Sequence, residues 1–492
     1  MLRRLLDVVQ RFSRLPVLVV GDAILDTYLH GDAVRICREG PVPVVELAGR
    51  ADRPGGAANA AANASGLGAS ATFVSLVGAD REGELLEGAL AADGVDCSRL
   101  IRSPSHPTVA KSRVIAASQL LVRFDQPPPP SPGPTAEEAI VGLLRDLFPQ
   151  ADAVLVADYT GSVLTPRVVE TIAALQRRFP RVVVVDSPRP RTFRSIRPTA
   201  VKPNRDEAVG LLGPSAVPRN GADPAEAIGK AGDRILAATG AQVAAVTLDS
   251  HGAIVLERGR PAYRTYGRPS DGSRAIGAGD TFAAALALAL AAGADTASAA
   301  EIASAAGAVV VGKDGTAVCS DVELRDALFS REERLTTLAR LLPALAGRRE
   351  RGERVVLTNG CFDILHRGHV SLLSEAKGLG DVLVVGVNTD ASVRRLKGEG
   401  RPITPLEDRA ALLAALSPVD FVVPFGEDTA RPLVGAVRPD VYVKGADHER
   451  ASLPEAELVE QLGGEVRILP YFEERSTTGV IDRVRELVAR EA

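Results

Sequence analysis

Apolar residues gather into short β-branched runs, first Val17–Val20, Val154–Val156, Val182–Val185 and Val243–Leu248, then Val355–Leu357, Val382–Val387 and Val441–Val443. Between them lie Ala/Leu-rich stretches with helical character. Continuous apolar strands alternating with helices predict parallel sheets covered on both faces, an α/β arrangement. The Pro-rich stretch Pro127–Pro134 can be neither helix nor central strand. It reads as an exposed loop between a strand ending near Arg123-Phe124-Asp125 and a helix starting near Thr135. From about Asp321 to Glu353 the alternation gives way to a charged helical pattern ending in Arg348-Arg349-Glu350-Arg351-Gly352, after which the strand series restarts. The pattern therefore divides into a domain over 1–320, a helical linker over 321–352 and a domain over 353–492, both domains long enough to bury a core.

Composition narrows the function. A length of 492 residues fits two or three domains, and a net charge of −4 argues against a protein that coats nucleic acid. The longest apolar run, Phe282 to Ala294, falls short of the roughly 18 residues that span a bilayer, so no membrane role is expected. Asp7, Gln10 and Arg11 interrupt what a signal peptide would keep apolar, which predicts a cytoplasmic protein. The four cysteines form no C-x-x-C and read as reduced thiols. Only seven lysines stand against fifty-one arginines, so each lysine is a position worth locating.

Gly277-Ala278-Gly279-Asp280 immediately precedes the helix-forming run Thr281–Ala292. Backbone N–H groups at such an entrance point at an anion, and a carboxylate held there could take a proton from a hydroxyl during phosphoryl transfer. By itself the tetrad is equally a tight turn with an N-capping Asp. Three further elements accompany it: Arg53-Pro54-Gly55-Gly56-Ala57-Ala58-Asn59 leading into a small-residue helix, Asn204-x-x-Glu207 after Ala200-Val201-Lys202, and Gly21-Asp22 with Asp26 after the first strand.

In order and spacing these elements resemble the ribokinase (PfkB) family of sugar kinases over about residues 15–320. The resemblance implies a doubly wound ribokinase-like sheet with a small β-lid, Asp280 as catalytic base, and Gly277, Ala278 and Gly279 as anion hole. It also implies Asn204 and Glu207 acting through Mg²⁺ and its waters, with no side chain ligating a metal directly. Thr247 and Gly252 would border ATP, and Asp22, Gly55, Gly56 and Asn59 would face the sugar. Lys111, Arg113 and Arg123, with Asp125, fall on the lid stretch, where cations suit a sugar that already carries a phosphate. Each lid arginine is as readily a solvated surface residue. A homodimer through this domain is a further implication.

Two departures stand out. Arg274, Ala275 and Ile276 replace the residues that help form a monovalent-cation site in relatives, which speaks against K⁺ activation. Asp158-Tyr159-Thr160-Gly161 lacks the lysine of a D-Y-x-K-G run. A degenerate kinase domain is therefore one alternative.

In the second domain, Thr358-Asn359-Gly360-Cys361-Phe362-Asp363-Ile364-Leu365-His366-Arg367-Gly368-His369 follows Val355–Leu357. An H-x-G-H at a helix start after the first strand puts two imidazoles and a helix N-terminus beside one polyphosphate. A zinc site would need three or four ligands and lacks them. This run, with Arg395-Leu396-Lys397-Gly398, Arg409, Val443-Lys444-Gly445 with Asp447, and Ser476-Thr477-Thr478, resembles the nucleotidyltransferase family that includes glycerol-phosphate and ethanolamine-phosphate cytidylyltransferases. The resemblance, over about 353–485, implies a Rossmann-like fold, Mg²⁺, and His366 and His369 as catalytic residues. It also implies Asn359, Gly360, Phe362, Asp363, Lys397, Arg409, Lys444, Ser476, Thr477 and Thr478 around the nucleotide and its phosphates. The substrates expected are ATP and sugar phosphates, with transfer to another phosphate ester as a second alternative.

Overall fold

The computed structural model describes residues 2–116, 119–213, 224–249, 252–265, 276–416, 418–446, 450 and 453–469. Arg274, Ala275, Asp447, Ser476, Thr477 and Thr478 lie outside them. The chain divides into two compact units, Met1–Leu328 and Phe329–Ala492.

The first unit contains strands β1 (Pro16–Gly21), β2 (Ala23–Ile36), β3 (Pro43–Gly56), β4 (Ser70–Gly78), β5 (Leu100–Ser103), β6 (Val109–Ala116), β7 (Gln119–Asp125), β8 (Ala153–Ala157), β9 (Val182–Asp186), β10 (Ala200–Val201), β11 (Val243–Thr247), β12 (Ala253–Glu257) and β13 (Tyr263–Thr265). Nine form one sheet in the order β13-β12-β11-β10-β9-β8-β1-β4-β5, parallel from β5 to β11 and antiparallel at the β12 and β13 edge. Because side chains alternate across a strand, one strand feeds two cores. Val17 and Val19 pack on one side of β1, Leu18 and Val20 on the other. The helix Ala278–Ala291 is apolar nearly all round and is correspondingly buried against the helices Ala57–Gly66 and Thr296–Val311.

A second sheet, β3-β2-β6-β7, forms the lid. This sheet leaves the core: the inner strand β2 is buried from Ala23 to Tyr28 and mostly exposed from His30 on, and the edge strand β7 is exposed along its length.

The second unit has β14 (Val355–Gly360), β15 (Val382–Asn388), β16 (Phe421–Phe425), β17 (Val441–Gly445) and β18 (Glu465–Leu469), all parallel in the order β16-β15-β14-β17-β18. The helix Leu338–Glu350, which the sequence reads as part of a linker, buries Leu341 and Leu345 completely in this unit's core with Leu357 and Val384. It is a domain element rather than a free connector.

Candidate active sites

All parallel strands of the first sheet end on one edge, where β8, β9 and β10 deliver Tyr159, Asp186 and Lys202 beside the start of the helix Ala278–Ala291. Gly277 caps that helix at φ +81°, and a Cβ there would fall 2.7 Å from the Asn59 amide nitrogen, so glycine is required. Asp280, in the first turn, accepts a bond from Asn59 Nδ2 at 2.7 Å and another from the Tyr159 hydroxyl. Burial, then repulsion from Asp186, pushes its carboxyl up to about 6. The Tyr159 hydroxyl also lies 3.3 Å from Asp186, which pairs with Lys202 at 3.0 Å.

Asp280, Gly277 and Gly279 form one end of a cavity of about 200 Å³, and Lys111, Arg113 and Arg123 line the lid side. The lid register explains the grouping. Lys111 and Arg113 are two apart on β6, Asp26 pairs Lys111 from β2, and Arg123 pairs Arg113 from β7, so all four share one face. Arg113 is buried, bonds Asp26 at 2.7 Å and lies 5.1 Å over the Tyr28 ring. Asp26 also accepts from Thr316 at 3.0 Å. A Cβ at Gly55 would meet Asp26 Oδ2 at 2.5 Å, so that glycine makes room for this carboxylate, while Gly56 lines the cavity itself.

Several expected residues fall elsewhere. Asp22 does not face the cavity. Its carboxylate accepts from the backbone of Tyr159, Thr160, Gly161 and Val163 and from the Ser162 hydroxyl, and these N–H bonds outweigh burial and hold it below the usual range. Of the two carboxylates beside the first strand, the one facing the cavity is Asp26. Asn204 and Glu207 form a reciprocal capping box, each side chain accepting the other's backbone N–H at 2.8 Å, on the helix Arg205–Leu212. They sit near Lys202 and Asp186, whose charges act on Glu207. Thr247 bridges the backbone of Asn204, and Gly252, at φ +86°, turns the chain from β11 to β12. At Gly161 a side chain would collide with the Arg189 guanidinium, which pairs with Asp158 at 3.2 Å. A cation therefore occupies that place without a lysine at 161. Ile276 lines the cavity.

In the second unit β14 carries Asn359 and Gly360 to the strand ends, and His366 is the N-cap of the helix Arg367–Lys377. The His366 and His369 rings stack with centroids 3.9 Å apart, and Phe362 packs edge-on to His369 at 5.2 Å. Phe362 is a buried wedge at φ +48°, and Gly360 leaves room for its ring. Lys444, at the end of β17, donates to the Asn359 carbonyl at 3.1 Å, and the Tyr442 hydroxyl donates to the Asn359 side chain at 2.6 Å. Lys397 is exposed at the end of the helix Asp390–Lys397. Its charge reaches Cys361, whose thiol burial pushes up.

Two expected phosphate or nucleotide residues are instead struts. Arg409 is completely buried, donating to the carbonyls of Cys361 at 2.6 Å and Thr404 at 2.9 Å and pairing with Asp390 at 2.7 Å. Asp363 is buried and binds Arg401 and the backbone of Ile403 and Thr404. Sequence reading missed Tyr159, Asp186 and Arg401 as site-building residues. The first lies in the noted D-Y-x-G run, but nothing in spacing links it to Asp280.

The fold and both sites define a two-domain phosphotransferase. A pfkB family carbohydrate kinase model matches residues 16–323, and a cytidylyltransferase-like model matches 357–479. The Bifunctional protein HldE of Pseudomonas paraeruginosa (strain DSM 24068 / PA7) is 42% identical over 480 residues, 97% of this chain and 98% of that one. HldE of Azotobacter vinelandii (strain DJ / ATCC BAA-1303) is 40% identical over 96% and 98%. The chain belongs to this bifunctional HldE family, as a carbohydrate kinase joined to a nucleotidyltransferase. Among solved structures, phosphofructokinase-2 from Escherichia coli in complex with potassium superposes with a TM-score of 0.53 at 20% identity, over 64% of this chain and 98% of that one, which supports the ribokinase-like fold.

Proposed function

We propose that the first domain phosphorylates D-glycero-D-manno-heptose 7-phosphate at its anomeric hydroxyl, and that the second transfers an adenylyl group from ATP to heptose 1-phosphate, giving ADP-heptose and pyrophosphate. The observation that carries the sugar-phosphate reading is the cavity with a half-buried carboxylate, Asp280, at one end and three cations on its lid. A neutral hydroxyl needs a base, and a phosphate already on the sugar needs positive charge.

Asp280 takes the proton from O1, O1 attacks the γ-phosphorus of ATP, and ADP leaves; the N–H groups at Gly277–Gly279 receive the charge on the transferred group. Lys111, Arg113 and Arg123 bind the 7-phosphate, with Asp26 and Asn59 toward the sugar. Mg²⁺ keeps several waters and uses few carboxylates, and Asn204 and Glu207 would hold it through water. There it would neutralise the ATP phosphates. The side chains of Arg274, Ala275 and Ile276 carry no oxygen, and the proposed reaction assigns K⁺ no role.

In the second domain the nucleophile is already an anion, and the site supplies cations rather than a base. A phosphate oxygen of heptose 1-phosphate attacks the α-phosphorus of ATP and pyrophosphate leaves. His366 and His369 stabilise the charge, with Lys397 and Lys444 on the phosphates; the family resemblance assigns the leaving group to Ser476, Thr477 and Thr478, which lie outside the described residues. A separate phosphatase removes the 7-phosphate between the two reactions. Both reactions consume ATP, which fits a cytoplasmic enzyme.

The kinase unit forms a homodimer through its lid. Val122 and Phe124 flank Arg123 and so present the face away from the cavity, and each is at least half exposed.

Incubation with ATP, Mg²⁺ and heptose 7-phosphate, followed by mass and phosphorus NMR, is expected to give heptose bisphosphate alone and ADP-heptose once a phosphatase is added. Absence of bisphosphate would support a degenerate kinase domain. Pyrophosphate release with CTP in preference to ATP would sink the adenylyl assignment.

A further inference from the structure

The surroundings of Asp280 contain more than a base requires. Asn59 reaches its Oδ2 from the helix Ala57–Gly66, and Tyr159 reaches its Oδ1 from the turn after β8. Beyond the phenol stands Asp186 at the end of β9, and beyond that Lys202 after β10, which also feels Glu207. Across the cavity the lid contributes Lys111, Arg113 and Arg123, with Asp26. A phenol has one proton to donate and two carboxylates within reach.

The turn that carries the phenol is itself fixed. Asp22 accepts four backbone N–H bonds and a hydroxyl from residues 159–163, so the ring cannot drift without breaking a saturated carboxylate. Burial, reinforced by the charges of Asp186 and Asp280, pushes the Tyr159 hydroxyl far above its ordinary range, so it stays protonated and acts as a donor.

Taking Asp280 as the base, we propose that Tyr159 is a positioning residue of the kinase reaction. Its hydroxyl aims the Asp280 carboxylate and favours its ionised form, while Asp186, tied to Lys202, opposes that ionisation from the far side of the phenol. The two neighbours therefore set, in opposite senses, the pH at which the base becomes competent. Donation to a carboxylate favours its charged form, and a second negative charge disfavours it.

The test is kcat of the full-length enzyme at saturating ATP and heptose 7-phosphate, followed from about pH 5 to 9. Tyr159→Phe removes the donor and keeps the ring. Its acid limb is expected to move up by about one pH unit, with kcat on the plateau down about tenfold and KM for the sugar little changed. Asp186→Asn is expected to move the limb down. A purely structural role for Tyr159 would lower activity or stability without opposite shifts. Limbs that stay in place, or that move the same way in both variants, would overturn the proposal. Asp280→Asn separates this from the reading beneath it: near-normal kinase activity in that variant removes Asp280 as base. An inactive Asp280→Asn with an unmoved Tyr159→Phe limb removes only the role of Tyr159.

Discussion

The two catalytic regions handle phosphorus with opposite electrostatic designs. At the edge of the first sheet, Asp22 and Asp186 are buried and Asp280 is partly buried at the cavity wall, and every one of these carboxylates is held by donors: backbone N–H groups for Asp22, Lys202 for Asp186, and Asn59 with Tyr159 for Asp280. At the edge of the second sheet the side chains proposed for the reaction are two stacked imidazoles and two lysines, and the buried carboxylate Asp363 is spent on Arg401 and the loop that follows it. The difference follows the nucleophile. A sugar hydroxyl must lose a proton, so the kinase unit keeps a carboxylate in surroundings that raise its proton affinity; a phosphate monoester is already charged, so the transferase unit needs only to hold and neutralise.

The sharpest way to break this contrast is to remove one element from each side. Asp280→Asn should cost the kinase about 10³-fold in kcat and leave adenylyl transfer at wild-type rate, whereas His366→Ala should cost adenylyl transfer about 10²- to 10³-fold and spare the kinase. Separate assays of the two half-reactions on each variant check it. Next comes pH. With Asp280 raised to about 6, the kinase kcat should fall as pH drops through that value, because the protonated carboxyl cannot accept the sugar proton. A flat kcat from pH 5 to 8 would contradict a carboxylate base.

Smaller effects separate struts from ligands. Arg409→Met should lower the stability of the second unit by about 3 kcal/mol, by leaving Asp390 and two carbonyls without their donor, and should change KM for ATP little in the folded fraction. Thermal unfolding alongside kinetics checks that. Lys111→Ala should raise KM for heptose 7-phosphate about tenfold, or about 1.4 kcal/mol, with less effect on kcat, as expected of a phosphate contact away from the reacting atoms. The mildest expected change is in assembly. Phe124→Asp on the outer lid face should shift the proposed dimer toward monomer in light scattering while adenylyl transfer continues.

Much of the architecture was legible from pattern because its signals are local. Uninterrupted valine runs mark strands buried on both faces, and Val17–Val20, Val182–Val185 and Val382–Val387 all fall within observed strands. The Gly277–Asp280 turn opens a helix one turn earlier than its alanine run suggests, since Ala278 and Gly279 already lie in it. Motif residues were harder to rank. Asp22 and Asp26 are equally visible beside the first strand, and only the fold shows the former clamping the 159–163 turn and the latter lining the cavity. Arg409 and Lys444 are both cations in matching motifs. Nothing in their spacing says that one has spent its donors on buried carbonyls while the other stands by the Asn359 carbonyl at a strand end.

The sequence by itself determined the alternation of strands and helices, the two-domain order, and the glycine and histidine turns at which anions can be held, because each depends on residues within a few positions of one another. Only the tertiary structure decided which charges meet. Tyr159 reaches Asp280 across 121 residues, Arg113 meets Asp26 across 87, and Arg401 finds Asp363 across 38. Strand pairing and the loops that follow the strands bring such distant residues together, and there burial makes each unpaired charge costly enough that its partner is fixed by the fold.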